Sequence, residues 1–173
     1  MSNAAINSLY YAGTVSLSLQ IEKNKKICLK KIHNAGTANL FGFFAECLLG
    51  NWDLARLARP TKIMLLHVDQ EHGSVPVSRS RFISVQTEPE RVIDDTTGVE
   101  SVRYSFTIPK AMLEVGSFNR LGLYANTATE PTDYSAYCDI DLNEELAHWG
   151  MSSALLIDWE LCITNKPSTT GLN

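Results

Sequence analysis

Residues 14–22 alternate strictly. Val15, Leu17, Leu19 and Ile21 fall on one side, and Thr14, Ser16, Ser18, Gln20 and Glu22 on the other. A period of two with one apolar side predicts a strand with one buried face. The polar tip Lys23–Lys26 leads into a second strand, Ile27–Ile32, so the pair reads as a hairpin. The period then changes. Thr37 can cap a helix carrying Leu40, Phe41, Phe43, Phe44, Cys47, Leu48 and Leu49, with Gly50 just past its end. Only Asn39, Gly42 and Glu46 interrupt its apolar surface. A helix apolar nearly all round is expected to be buried, in a core or against a neighbouring subunit. A shorter amphipathic turn, Asp53–Ala58, stops before Pro60.

From Thr61 onward the pattern is β. Lys62–Val68 has the run of a strand buried on both faces, and Val77–Gln86 alternates weakly. Ser101–Ile108 alternates cleanly through Val102, Tyr104, Phe106 and Ile108. Arg120–Ala125, Tyr134–Leu142 and Ser153–Thr164 follow, the last with Leu155, Ile157, Trp159, Leu161 and Ile163 on one face. EHGS, DDTTG, EVGS and ATEPT punctuate these runs as turns. Strands in series with the helices grouped early predict a mainly β fold. It is an antiparallel β-sandwich or sheet with an N-terminal hairpin and one buried helix packed on it, α+β by strict count. The whole of 1–173 reads as a single domain. Its parts are an arm at 1–13, the hairpin at 14–32, a helical segment at 37–58, a β region at 61–165 and a polar tail at 166–173.

Composition adds limits. The 173 residues are 45% hydrophobic and 20% charged, which is globular and not disordered. No apolar run approaches the ~20 residues of a membrane-spanning helix, and the first residues lack the basic start and apolar stretch of a signal peptide. Fifteen Lys and Arg against nineteen Asp and Glu give a net charge of −4, the wrong sign for a protein that lives on phosphate contacts. Nucleic acid is therefore not expected as a specific ligand. Locally, Lys23, Lys25, Lys26, Lys30 and Lys31 crowd together. They read as an anion-binding patch or as a solvated hairpin tip and edge strand, where Lys blunts unwanted strand pairing. Cys28, Cys47, Cys138 and Cys162 are far apart in apolar surroundings, which predicts buried reduced thiols rather than disulfides.

Candidate chemistry is sparse. No GxSxG elbow, HExxH helix, Walker loop or dinucleotide glycine pattern is present, so no catalytic residue, cofactor or metal site is assigned. The His67–His72 run HVDQEH could supply metal ligands, but strand geometry turns His72 away from His67, Asp69 and Glu71. The Asp139–Glu145 run DIDLNEE imitates a calcium loop, yet Glu144 stands where the loop needs Gly. Arg79 and Arg81, two apart on a strand, could grip a carboxylate or phosphate, or form interface ion pairs. Trp52, Trp149, Tyr10, Tyr11, Tyr134 and Tyr137 could line a sugar-binding face or a subunit contact.

The order of segments carries more than any one residue. A His33-Asn34 entry precedes the Thr-capped apolar helix ending Leu48-Leu49-Gly50. Arg59-Pro60-Thr61-Lys62-Ile63 then opens a buried strand. Tyr104, Phe106 and Ile108 run into Pro109, followed by Arg120-Leu121-Gly122-Leu123-Tyr124 and the terminal LLIDWELCITN of Leu155–Asn165. This series resembles a loose group of tailed-bacteriophage minor structural proteins from the tail, neck, baseplate or fibre-attachment region, over about residues 33–165. It departs from that group in three ways: Val68 runs into DQEHGS rather than a glycine-rich loop, Arg120 stands where an acidic residue is common, and the hairpin 14–32 has no counterpart. The resemblance implies a virion structural subunit, assembled in the host bacterial cytoplasm, whose partners are copies of itself and other virion proteins. It offers no catalytic residues. The expected interface residues are Lys23, Lys25, Lys26, Leu40, Phe41, Phe44, Leu48, Arg79 and Arg81. The alternative is a β-sandwich binding module for carbohydrate or a host-surface ligand.

Overall fold

The computed structural model describes residues 10–22, 25–34, 36–69, 73–76, 82–85, 87–112, 117–129, 136–147 and 154–164. Two antiparallel sheets face each other. The first is ordered β2-β1-β10-β7-β6, built from β1 (Tyr10–Glu22), β2 (Lys25–Asn34), β6 (Glu90–Ile93), β7 (Glu100–Pro109) and β10 (Ala154–Thr164). The second is ordered β4-β3-β8-β9, built from β3 (Pro60–Asp69), β4 (Gly73–Pro76), β8 (Ser117–Ala125) and β9 (Ala136–Ala147), with β5 (Ile83–Ser84) also paired to β3. The predicted N-terminal hairpin is thus not an appendage: β1 lies between β2 and β10.

Register turns the alternation of the sequence into layers. Val15 stands opposite Trp159, which stands opposite Tyr104; Leu17, Ile157 and Phe106 form the next row; Leu19, Leu155 and Ile108 the third. From the other sheet Ile63, Leu123 and Cys138 align, then Leu65, Leu121 and Ile140. These two sets pack into one core, in which Trp159, Phe106 and Phe118 are the largest enclosed side chains. Burial of such aromatic area is the main stabilising term of a sandwich of this kind.

The outward face of the first sheet is wet and paired. His33, Thr14, Glu160, Arg103 and Glu90 follow one another across five strands. Arg103 donates to Glu160 through Nε at 2.8 Å and lies 3.7 Å from Glu90, while Ser105 donates to Asp158 at 2.6 Å. Asp158 and Glu160, opposite in face to Trp159, therefore hold neighbouring strands by side-chain bonds. At the edge, Lys30 turns inward and donates to the Leu142 carbonyl at 2.9 Å, tying β2 to β9 of the facing sheet.

The second sheet is covered on both sides near β3, as its continuous apolar run predicts. Met64, Leu66, Tyr124 and Ala136 form a smaller cluster on the outer face. Phe82 meets the Tyr124 ring edge-on at 5.1 Å, and Lys62 reaches over Phe82 to the Ala128 carbonyl at 2.8 Å. Gly122 makes this possible, because the Tyr124 ring lies over it and a Cβ there would stand 2.6 Å from Tyr124 Cε2. Past Leu66 the β3–β8 ladder is carried on by a side chain: Asn119 accepts from Val68 N and donates to Val68 O, each at 2.8 Å. Asp139 and Asp141 belong to strand β9, as their alternation predicts, and Arg120 donates through Nε to Asp139 at 2.9 Å.

Two short strands, β4 and β6, fall where the sequence shows loops, since four residues are too few for a period to register. Most of Val77–Gln86, including Arg79 and Arg81, lies outside the described residues, and so does His72.

Two substitutions test this account. Trp159→Ala should lower unfolding free energy by about 3–5 kcal/mol, measured by urea denaturation. Gly122→Ala should cost about 1–3 kcal/mol by forcing the Tyr124 ring off its seat. The same change in a Tyr124→Ala background should cost clearly less, and equal costs in both backgrounds would refute the packing argument.

Candidate interaction surface

Between β2 and β3 the chain crosses from one sheet to the other. Gly36 forms an isolated bridge to Cys138, and Thr37 N donates to the Tyr137 carbonyl at 2.7 Å. The Thr37 hydroxyl was expected to cap the helix. It instead donates to the Ala136 carbonyl at 2.6 Å, an acceptor that Asn39 Nδ2 also reaches at 3.5 Å, and makes no side-chain cap bond to the helix. Helix α1 (Ala38–Leu48) follows, then α2 (Trp52–Ala58).

Their joint is well defined. Gly50 takes φ 76°, the left-handed conformation that glycine adopts without strain just past a helix end. Asn51 donates from Nδ2 to Glu46 at 2.6 Å and from its backbone N to the Glu46 carbonyl at 3.1 Å. The Tyr137 hydroxyl donates to the Ala58 carbonyl at 2.5 Å, and Phe43 packs 5.8 Å from the Tyr137 ring. The hairpin is thus fastened to the sandwich at both ends.

Burial along α1 is one-sided. Leu40 is fully enclosed, and Phe43 and Phe44 pack against the core from half-buried positions. Phe41 and Leu48, on the neighbouring flank, are open to solvent, with Leu48 81% exposed. The expected all-round burial of this helix is not met within the chain. In α2, likewise, Ala55 is buried and Ala58 half-buried while Trp52, Leu54 and Leu57 are exposed. Of eleven large apolar residues exposed among the described residues, six belong to this hairpin: Phe41, Leu48, Leu49, Trp52, Leu54 and Leu57. The three most exposed, Leu48, Leu49 and Trp52, stand close together along the chain at the turn between the two helices.

Beside α1 runs a cleft of about 490 Å³, lined by Phe43, Phe44, Cys47, Val102, Tyr104 and Leu161, with the Arg91–Glu100 pair on its wall. It marks the end of the sandwich that α1 only partly plugs. Burial pushes the Tyr104 hydroxyl up to about 12 and raises the Cys47 thiol, so neither ionises near neutral pH. Glu100 is held below the ordinary carboxylate range by its hydrogen bonds from Arg91, which at 3.0 Å from Nε already neutralises it. The two charged groups on the cleft wall thus bond to each other. Among the described residues, no three His, Cys, Asp or Glu side chains gather as metal ligands.

No family model, curated protein or solved structure matches the chain. What it does must be argued from its own surface.

The predicted interface residues scatter. Leu40 belongs to the core and presents nothing to a partner, a correction forced by its position under Phe43 and Phe44 on the inward stripe of α1. Phe44 is half-buried in the cleft, while Phe41 and Leu48 are outward. Lys25 and Lys26 are exposed on edge strand β2, far along the sheet from α1 in register, opposite Glu22 and Gln20. Lys23 lies outside the described residues, as do Arg79 and Arg81. Leu49, Trp52, Leu54 and Leu57 were not among the expected set. Their signal was available: a two-turn helix with Ala at its inward positions must show its larger side chains to solvent. Of the aromatics considered for a sugar platform, Trp52 is exposed and Tyr137 is buried; Trp149 and Tyr134 lie outside the described residues.

The thiols also differ from expectation. All four are free, but only Cys138 is buried; Cys47 and Cys162 are intermediate, and Cys28 is exposed on the edge strand. Iodoacetamide labelling followed by peptide mass spectrometry should modify Cys28 first and Cys138 last. Equal rates at the two sites would contradict the packing of β9.

Proposed function

We propose that this chain is a structural subunit of a bacteriophage virion, in the tail, neck or baseplate region, and that it works through subunit–subunit contacts. The observation that carries the reading is the α1–α2 hairpin: six large apolar side chains held outward by a hairpin bonded to a closed sandwich. None of the six belongs to either core cluster, and an exposed apolar surface of this kind is what an assembly subunit uses. The order of segments from His33 to Asn165, with its resemblance to minor tail proteins, supports the virion setting. Its partners are then other copies and other virion proteins, with no catalytic step and no cofactor. The carbohydrate-module alternative draws less support, because of the aromatics that could line a sugar platform Trp52 is exposed while Tyr137 is buried against α1.

Immunogold electron microscopy of particles purified from the source, with antibody to the recombinant chain, tests the setting. Gold at one discrete position, such as the neck, tail tip or fibre base, is the expected result. Particles that stay unlabelled after mild disruption would overturn it.

A further inference from the structure

We propose that the cleft between α1 and the first sheet is a binding site for a small uncharged aromatic molecule carrying an acceptor oxygen, which Tyr104 holds by a hydrogen bond. The proposal goes beyond the contact-subunit reading and does not depend on it. Well-packed interiors leave few voids larger than a water molecule. Here about 490 Å³ stays open between Phe43, Phe44 and Cys47 of the helix and Val102, Tyr104 and Leu161 of the sheet. That is within the roughly 300–1,000 Å³ of small-molecule sites. Thr37 and Tyr137 bond the helical hairpin to the sandwich, so the helix wall is tied in place.

Tyr104 points to a ligand rather than to an idle gap. It stands in the core row opposite Trp159 and is only 7% exposed. It also lines the cleft, and its hydroxyl bonds none of the described residues. A polar group so enclosed ordinarily has a partner. The Cys47 thiol of the helix wall acts electrostatically on this hydroxyl, which places the phenol end on the cleft side. Pushed up to about 12 by burial, the group keeps its proton at neutral pH and donates. Its complement is an acceptor oxygen. The other walls set the body of the ligand. Phe43 and Phe44 stand 5.6 Å apart and tilted at 47°, an arrangement that meets a further aromatic ring by face and by edge. Charge is disfavoured by the same surroundings. Arg91 and Glu100 bond each other, and Arg59, which also acts on the hydroxyl, lies 3.5 Å from Glu88. Each of these charges is already paired, so an ionic ligand would be desolvated without a counter-charge.

Titration of the purified full chain with prodan tests the inference, with circular-dichroism melting of each variant as the control for folding. Prodan is an uncharged naphthyl ketone whose emission moves to the blue in apolar surroundings. One saturable site with a Kd of about 1–100 μM is expected. Val102→Trp, which fills the cleft from a position 39% exposed, should weaken binding at least about tenfold. Tyr104→Phe, which removes only the hydroxyl, should weaken it about three- to tenfold while melting normally. Bound prodan should also slow iodoacetamide labelling of Cys47 and leave that of Cys28, exposed on β2, unchanged. The Cys47 readout uses the wild type, so it decides even where a variant melts early. Emission that fails to saturate below about 1 mM, binding that survives Val102→Trp, or a Cys47 left unprotected would overturn the site. Binding untouched by Tyr104→Phe would overturn the hydrogen bond and with it the class of ligand. None of these results moves with the gold labelling of particles, so the two readings fail separately.

Discussion

The first sheet depends on its last strand. β1 pairs with β2 and with β10, and β7 pairs with β6 and with β10; among the described residues no other link joins the two hairpins within the sheet. A two-stranded hairpin alone is marginal in water, so neither half is stable until β10 enters between them. Trp159 makes that entry decisive. It stands at the centre of the inserted strand, fully enclosed, with Val15 on one side and Tyr104 on the other. Its indole N–H finds no acceptor among the described residues, so the ring is held by packing area and not by a hydrogen bond. The cost is kinetic. The pairing Tyr10 to Thr164 closes nearly the full length of the chain, and contacts of that separation form late.

Much of this was legible in the sequence because strand alternation is a local property. Val15, Leu17 and Leu19, or Tyr104, Phe106 and Ile108, declare one face without reference to any partner. The pairing order could not be read in the same way. Nothing in Ala154–Thr164 states that it lies between residues 10–22 and 100–109 rather than at an edge; its apolar inner face and charged outer face suit either place. Bulges were equally hidden. The step at Asn119 depends on a side-chain amide standing in for backbone, and only the register exposes it.

The helical segment shows the opposite limit. Its composition pointed to burial, and composition was a correct guide to the chemistry of the surface but not to its fate. What decides how much of α1 is covered is what stands against each stripe: Tyr137 packs on Phe43, while Leu48 stays open to solvent. Leu40 is therefore consumed by the core while Phe41, its neighbour in sequence, is not.

A separation of duties follows from this arrangement. Among the described residues of the sandwich, Arg103 bonds Glu160, Arg91 bonds Glu100 and Arg120 bonds Asp139. The sandwich core is built mainly from strand residues around Trp159. The hairpin contributes only Leu40 and the half-buried phenylalanines to that core, so its outer side chains are free to vary without unfolding the scaffold. Exposed apolar area on a loosely held element would invite aggregation in every direction. Here Thr37, Asn51 and Tyr137 fix both ends and the joint of the hairpin by hydrogen bonds, so the area is presented in one orientation. Fixed orientation reduces the entropy lost on docking and lets an apolar surface select a geometry as well as a partner. That is the physical difference between a sticky patch and a surface able to serve as an interface, and the bonds to β9 give this hairpin the fixed orientation that such a role requires.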